Sequence, residues 1–119
     1  MGKSDRSGLI RFTEARTRIP GPAGEHAVRL LQRGSLDARL ALAPRVPPTE
    51  VTPHTQDEVY VIVRGQGVLF HDGKRDRFES GDLLFVAAGT EHRFEDYSDD
   101  LAVWVIFYGP QGGEVPTRA

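Results

Sequence analysis

Glycine and proline interrupt this chain so often that the sequence leaves little room for a long helix. The 119 residues include 13 glycines and 8 prolines, and no stretch longer than about ten residues keeps helical apolar spacing free of them. Between them lie short apolar runs bounded by turn residues, which is the pattern of β-strands. We therefore predict strands at 26–32, 36–43, 50–52, 58–64, 67–71, 75–79, 82–87, 92–96 and 101–108.

The turns between these runs indicate antiparallel pairing. Asp72 and Gly73 separate two of the runs, and both residue types tolerate the positive φ that a two-residue type I′ turn requires. Further tight turns are expected at 79–82 and 87–91. Short, regularly spaced strands without a convincing helix predict an all-β fold, either a closed antiparallel barrel or a double-sheet sandwich.

The length of the chain fits a single domain, which we assign to residues 1–119 with a core at about 26–108. Residues 1–8 are polar and residues 109–119 are rich in glycine and proline, so both ends are expected to be loose. The proline-rich segment 43–50 should be extended and stiff, because proline fixes φ and restricts the residue before it.

Charge and composition argue against several classes of partner. The 15 basic and 17 acidic side chains give a formal net charge of -2, and their signs are interspersed, so we expect neither nucleic acid nor a membrane as a partner. No apolar run approaches the roughly 20 residues of a membrane-spanning helix. The N-terminus does not resemble a secretion signal, which favours a cytoplasmic protein. With no cysteine, any metal must be held by histidine, carboxylate or amide groups.

The run at 58–64 carries the residues with the clearest chemical implication. Side chains two apart share one face of a strand, so Glu58, Tyr60 and Ile62 point the same way. If that face is the interior, the carboxylate is costly to bury unless it is paired, hydrogen-bonded or bound to a cation. His54 precedes the strand and is the natural neighbour. These residues leave two interpretations open: a metal site, or a pocket in which histidines hydrogen-bond to Glu58.

Two segments resemble the motifs of the cupin family. The first family motif, G-x5-H-x-H-x(3,4)-E-x6-G, is matched from its second histidine onward by His54, Glu58 and Gly65. The second, G-x5-P-x-G-x2-H-x3-N, is matched by Gly81, Gly89 and His92. The two motifs are separated by 15 residues, as in a small single-domain cupin of the conserved-barrel type. The resemblance implies an antiparallel jelly-roll β-barrel.

The resemblance also implies a divalent metal inside the barrel. The family binds it with three histidines and one glutamate, so His54, Glu58 and His92 carry over as ligands. Thr52, Ala87 and Asp96 stand where the family motifs have histidine, proline and asparagine. Thr52 replaces a ligand histidine, so Thr52 itself, the nearby Gln56 or a water is the candidate for the fourth ligand. Two imidazoles and a carboxylate suit Fe(II), Mn, Zn or Ni.

Further residues are candidates for the pocket or for catalysis, namely Tyr60, Phe94, Trp104 and Arg39. Tyr60 could donate a hydrogen bond or act as an acid, or simply pack in the barrel. Phe94 and Trp104 are interpreted as pocket wall or core. Arg39, with Arg29, could bind a substrate carboxylate through its guanidinium fork, although a surface arginine is the simpler interpretation. His26 and His71 are predicted to be solvated surface histidines.

The resemblance leads to a functional hypothesis. We predict a metal-dependent enzyme, an oxygenase, isomerase or lyase, acting on a small polar organic molecule. The alternative is a non-catalytic cupin that binds or senses a small ligand, with or without metal. The fold does not decide between them, because one scaffold hosts many activities. Small cupins generally dimerise through edge strands, so a homodimer is expected.

Overall fold

The computed structural model of the chain describes residues 7–46 and 54–117. Within these ranges each predicted strand is found with its ends within one residue of the prediction, except the strand at 50–52, which lies outside the described residues. The strands are β1 (Ala27–Arg33), β2 (Leu36–Leu42), β3 (Asp57–Arg64), β4 (Gln66–His71), β5 (Lys74–Glu79), β6 (Leu83–Val86), β7 (His92–Glu95) and β8 (Ala102–Tyr108).

The strands form two antiparallel sheets that enclose one core. The larger sheet has the order β1-β2-β8-β3-β6, and the smaller has the order β5-β4-β7. Both sheets send large side chains into the core, among them Tyr60, Ile62, Leu69, Phe94 and Val103. This arrangement confirms the predicted all-β fold and its antiparallel jelly-roll type.

The hairpin between β4 and β5 has the predicted turn. Asp72 and Gly73 both have positive φ, 49° and 76°, as a type I′ turn requires. The two strands pair without a shift from Gln66 opposite Glu79 to His71 opposite Lys74. The turn therefore sets the register that places Leu69 and His71 on the inner face.

The N-terminal segment contains helix that the sequence did not predict. A short helix α1 (Phe12–Ala15) is followed by a 3₁₀ turn (Arg16–Arg18). A helix of this length is not stable by itself. It is held by tertiary contacts, because the Phe12 ring packs edge-on against Trp104 with ring centroids 6.4 Å apart. None of the helices in the described ranges is long and apolar enough to cross a membrane.

The segment after β8 is attached to the barrel as far as residue 114, whereas the sequence predicted a loose tail from residue 109. The Gln56 side chain donates a hydrogen bond to the carbonyl oxygen of Gly109 at 2.8 Å. The Gly112 amide donates to the Thr55 carbonyl at 2.6 Å, and the Glu114 amide donates to Oδ2 of Asp57 at 2.9 Å. Polar groups just before and within β3 thus bind a segment whose composition alone indicates flexibility.

Two motif glycines have similar backbone conformations and different surroundings. Gly65, which follows β3, has φ +92°, and a Cβ there would lie 2.7 Å from Ser98 Oγ and 2.8 Å from Leu101 Cα. Gly81, in the turn before β6, has φ +91°, and a Cβ there would have no atom within 4 Å. At Gly65 a side chain would be disfavoured by the positive φ and would also clash with neighbouring atoms. At Gly81 only the positive φ disfavours a side chain.

We expect Gly65→Ala to destabilise the protein more than Gly81→Ala. Both substitutions force alanine into a positive-φ conformation, at a cost of about 1–2 kcal/mol. Only Gly65→Ala also places a methyl group against backbone, which typically adds about 1–3 kcal/mol. Chemical denaturation of both variants measures the difference in the free energy of unfolding. Equal losses would show that the contact with Leu101 is relieved without cost.

Candidate metal centre

Three donor atoms from different parts of the chain converge inside the barrel. His54 precedes β3, Glu58 is the second residue of β3, and His92 begins β7 in the other sheet. Oε1 of Glu58 lies 3.2 Å from Nε2 of His54 and 3.0 Å from Nε2 of His92. One ligand atom from each residue lies within 4.8 Å of the others. We call these three residues the His-Glu-His cluster.

Burial makes the cluster electrostatically demanding. Glu58 is 2% exposed and His92 is 0% exposed, whereas the His54 side chain is 27% exposed. A carboxylate removed from water in this way costs free energy unless a cation or strong hydrogen bonds compensate it. His54 is thus the member of the cluster that remains partly exposed to solvent.

The hydrogen bonds of His92 fix the orientation of its ring. Nδ1 lies 2.8 Å from the carbonyl oxygen of Thr90, which can only accept, so Nδ1 carries a proton and donates it. Nε2 lies 3.0 Å from Oε1 of Glu58 and 3.1 Å from the hydroxyl of Tyr60. It donates to the carboxylate when the ring is protonated and has a lone pair for a cation when the ring is neutral. A backbone carbonyl that orients a histidine in this way is typical of metal ligands.

His54 has the complementary feature. Its Nε2 atom is buried and has no hydrogen-bond partner among the described residues, although Glu58 is near. Buried polar atoms normally have a partner, and each exception calls for an explanation such as an ion. A cation between His54 and Glu58 would give this nitrogen a partner.

The pKa values of the surrounding groups follow from burial and from the charge of Glu58. Burial holds the pKa of His54 below its usual value, although Glu58 acts in the opposite direction. Burial also lowers the pKa of His92, but hydrogen bonds to Glu58 and the Thr90 carbonyl outweigh it, so the pKa is raised. Burial and the adjacent Glu58 raise the pKa of Tyr60 far above its usual range, so its hydroxyl keeps its proton.

The three residues fit a divalent metal ion. Ligand atoms about 2.1 Å from a metal and at right angles to each other are about 3.0 Å apart. The two Glu58 distances, 3.0 and 3.2 Å, agree with that spacing. The lone pair of His92 and the unpartnered nitrogen of His54 are the groups that such an ion would satisfy. Two histidines and one carboxylate also leave further coordination positions open.

The structure places the other predicted pocket residues in different surroundings. Tyr60 lies beside His92, and Phe94 packs edge-on against Tyr60 with centroids 4.8 Å apart. Trp104 is not brought to the cluster, because it lies on the face of β8 opposite the core residues Val103 and Val105 and packs on Phe12. Alternation along β8 by itself places Trp104 on this outer face. Phe94 thus belongs to the wall beneath the cluster, and Trp104 to the outer surface of the sheet.

Of the two residues that are candidates for a fourth ligand, the structure describes only Gln56. The amide nitrogen of Gln56 donates to the carbonyl oxygens of Ser35 at 3.2 Å and Gly109 at 2.8 Å. These bonds give the side chain a structural role at the end of β8. Thr52 lies outside the described residues.

Two residues at the site were not predicted from the sequence. The Phe107 ring packs edge-on against His54 with centroids 5.0 Å apart, and alternation along β8 from Val105 could have indicated its inward direction. Asp37 is buried and pairs with Arg39.

His71, predicted to be solvated, is partly buried opposite His92 and lies 2.6 Å from Oδ2 of Asp76. The register of β4 with β7 places it there.

Comparisons with known proteins agree with this geometry. The family model described as Cupin domain matches residues 40–108. An uncharacterized protein of Streptomyces coelicolor is 37% identical over 59 residues, which are 50% of this chain and 56% of the relative. The acireductone dioxygenase of Bacillus cytotoxicus is 37% identical over 68 residues, which are 53% of this chain and 40% of the relative. The chain thus spans about half the length of these curated relatives or less.

Solved structures show the same fold. A cupin 2 conserved barrel domain protein from Salinispora arenicola has a TM-score of 0.57 at 22% identity, with 70% of this chain and 74% of that one covered. A cupin-2 domain containing protein from Shewanella frigidimarina has a TM-score of 0.60 at 14% identity, with 82% and 92% covered. Since the family model covers more than half of the chain and the two motifs lie in the matched barrel, this protein belongs to the cupin domain family.

Proposed function

We propose that this cupin binds a divalent metal through His54, Glu58 and His92 and acts on a small polar organic molecule. The observation that carries the proposal is the convergence of three donor atoms, one of which is buried and has no hydrogen-bond partner in the part of the chain that the structure describes. The similarity to an acireductone dioxygenase favours an oxygenase over an isomerase or a lyase. The chain spans 40% of that relative, so the relative's oxygenase activity is a proposal for this chain.

Each residue at the cluster would have a separate role. A bound metal would supply Lewis acidity toward oxygen atoms of the ligand. Glu58 offsets part of the charge of the ion, and the Thr90 carbonyl keeps Nε2 of His92 directed at it. Tyr60 holds its proton, so it serves as a hydrogen-bond donor at the cluster rather than as a base. Phe107 and Phe94 exclude water from two sides.

The coordination positions that protein does not fill would belong to water and ligand. Gln56 uses its amide nitrogen for two backbone carbonyls, and rotating it away would cost both bonds. A neutral amide oxygen gains too little from a metal to compensate that loss. We therefore favour water as the fourth ligand in the resting protein.

A binding or sensing module is the second candidate function. Tyr60, the candidate acid at the cluster, is 0% exposed, and its hydroxyl lies 3.1 Å from Nε2 of His92. A hydroxyl that is buried and already engaged with a cluster residue favours a site that binds a ligand without transferring a proton to it. Turnover by the metal-loaded protein separates the two candidates.

We also propose a homodimer. β6 is at the edge of the larger sheet, and it exposes Leu83 and Phe85 at 65% and 54%. These side chains stand opposite Val61 and Val59 of β3, so they continue an apolar outer face. A second copy that packs there would remove apolar surface and an open strand edge from water.

His92→Ala should lower metal content far more than His71→Ala. Both remove an imidazole from neighbouring positions on the inner face, but only Nε2 of His92 belongs to the cluster. We expect loss of a ligand to weaken affinity by at least about tenfold. Elemental analysis of untagged, folded protein measures it, and the nearly isosteric Glu58→Gln is a second variant. Equal metal loss in the His92 and His71 variants contradicts the assignment.

Gln56→Ala should lower thermal stability and leave metal affinity unchanged. The substitution removes two hydrogen bonds to backbone, worth about 1–3 kcal/mol together. Titration with Mn²⁺ and a melting curve report the two properties separately. A loss of affinity would instead make Gln56 the fourth ligand, and a loss in Thr52→Ala would assign that role to Thr52.

Phe85→Glu should convert the proposed dimer to a monomer. The charged side chain would be buried at the interface, where it has no partner. Sedimentation velocity measures the mass, and Arg77→Glu, on the exposed part of β5 in the other sheet, is the control. A monomeric wild type would refute the proposal directly.

A further inference from the structure

Two arginines lie side by side on the face of the larger sheet that carries the His-Glu-His cluster. Asp37, Arg39 and Ala41 share one face of β2, and Ala41 belongs to the core. Arg39 is therefore on the inner face of the sheet, with its side chain 37% exposed, and Arg29 on the edge strand β1 is 49% exposed. Arg29 of β1 stands directly opposite Arg39, and directly opposed residues of antiparallel strands share a face.

Phe107 connects Arg39 to the cluster. The guanidinium carbon of Arg39 lies 5.5 Å from the centroid of the Phe107 ring, and the His54 ring packs on the same phenylalanine at 5.0 Å. In the sheet Phe107 stands between Asp37 of β2 and Glu58 of β3. Hydrogen bonding to Asp37 raises the pKa of Arg39, and the charge of Glu58 adds to that effect. The Arg39 guanidinium and the His54 ring of the cluster thus contact the same phenylalanine.

Asp37 holds both guanidinium groups in place. It accepts hydrogen bonds from Nε and a terminal nitrogen of Arg39 at 2.9 and 3.0 Å. Oδ2 also lies 3.1 Å from both Nε and a terminal nitrogen of Arg29. Hydrogen bonding from Arg39 lowers the pKa of Asp37 although burial opposes it, so the carboxylate stays charged. Each guanidinium carries five N–H donors, so donors remain for a ligand.

The arrangement leaves an excess of positive charge at the site. One carboxylate serves two arginines, which gives a local charge of +1, although the whole chain has a formal charge of -2. A divalent metal offset by Glu58 would add another +1. An arginine that is already immobilised loses little side-chain entropy when a ligand binds. A planar carboxylate is the anion whose two oxygens match the guanidinium fork.

We infer that Arg39, held by Asp37 and assisted by Arg29, binds the carboxylate of a small organic acid whose other end reaches the His-Glu-His cluster. This assignment of substrate class rests on the proposed function, because the metal is what the other end of the ligand would meet. Phe107 then forms the apolar floor between the two polar ends.

Binding of succinate and of its neutral diamide, succinamide, tests the inference. Calorimetric titrations use Mn²⁺-loaded and metal-free protein, in wild type, Arg39→Gln, Arg39→Lys and Arg75→Gln. Arg75 is the matched control, since it also pairs with a carboxylate, Glu95, and lies over a phenylalanine, Phe70, but outside the barrel. Arg39→Gln should fold, because Asp37 keeps Arg29 as a partner, and melting curves check this.

We expect succinate to bind at least about tenfold more tightly than succinamide, and Arg39→Gln to lose at least about tenfold of that affinity. Arg39→Lys should lose less, because it keeps the charge without the fork, and Arg75→Gln should match wild type. Equal binding of the two compounds, no binding of either, or equal effects of Arg39→Gln and Arg75→Gln would overturn the inference. Tighter binding of inorganic phosphate than of succinate would overturn the choice of carboxylate.

Failure of the metal site is distinguishable from failure of this inference. If no Mn²⁺ binds, the proposed function is wrong, and the metal-free titrations decide the role of Arg39 by themselves. If Mn²⁺ binds to the Arg39→Gln variant as it does to wild type while the preference for succinate disappears, both proposals are supported.

Discussion

The carboxylate of Glu58, buried between two sheets, is the constraint on which the rest of the site depends. A lone charged carboxylate at this depth would be costly, because it has lost its hydration without compensation. It is surrounded instead by two imidazole nitrogens and a phenol, and Arg39 lies within its electrostatic reach. The barrel thus concentrates positive and hydrogen-bonding partners around one negative charge. A cation bound as proposed would offset the cost of burying this charge.

The cluster also links the two sheets. Glu58 belongs to the larger sheet, and His92 begins a strand of the smaller one, so one ion bound to both would tie the sheets together. The Thr90 carbonyl and the turn that precedes β7 fix the ring of His92 before any ion arrives. Preorganisation of this kind would lower the cost of binding a metal, because few groups would have to be ordered.

Local signals in the sequence predicted the strands, because turns and alternation act over a few residues, whereas the grouping of His92 with His54 and Glu58 came from the resemblance to the cupin motifs. The Asp72 and Gly73 turn and the face shared by Glu58 and Tyr60 are of this kind. The short helix at Phe12 was missed because it depends on a contact with Trp104, far away in the chain. Alternation along β8 indicates the inward direction of Phe107, but its place between Asp37 and Glu58 needed the pairing of β8 with β2 and β3, which no local pattern contains. The attached tail likewise depends on acceptors supplied by β3.

The surroundings of the cluster differ on its two sides, and this difference sets the orientation of any ligand. Beneath it, Tyr60, Phe94 and Phe78 form a chain of edge-on aromatic contacts that fills the barrel. Above it, His54 remains partly exposed beside Phe107 and Arg39. A ligand of the proposed kind would therefore meet the cluster from the His54 side, above Tyr60. Because that side carries the guanidinium and the other side carries aromatic rings, the anionic end of such a ligand would lie near Arg39 while its oxygen-bearing end met the cluster.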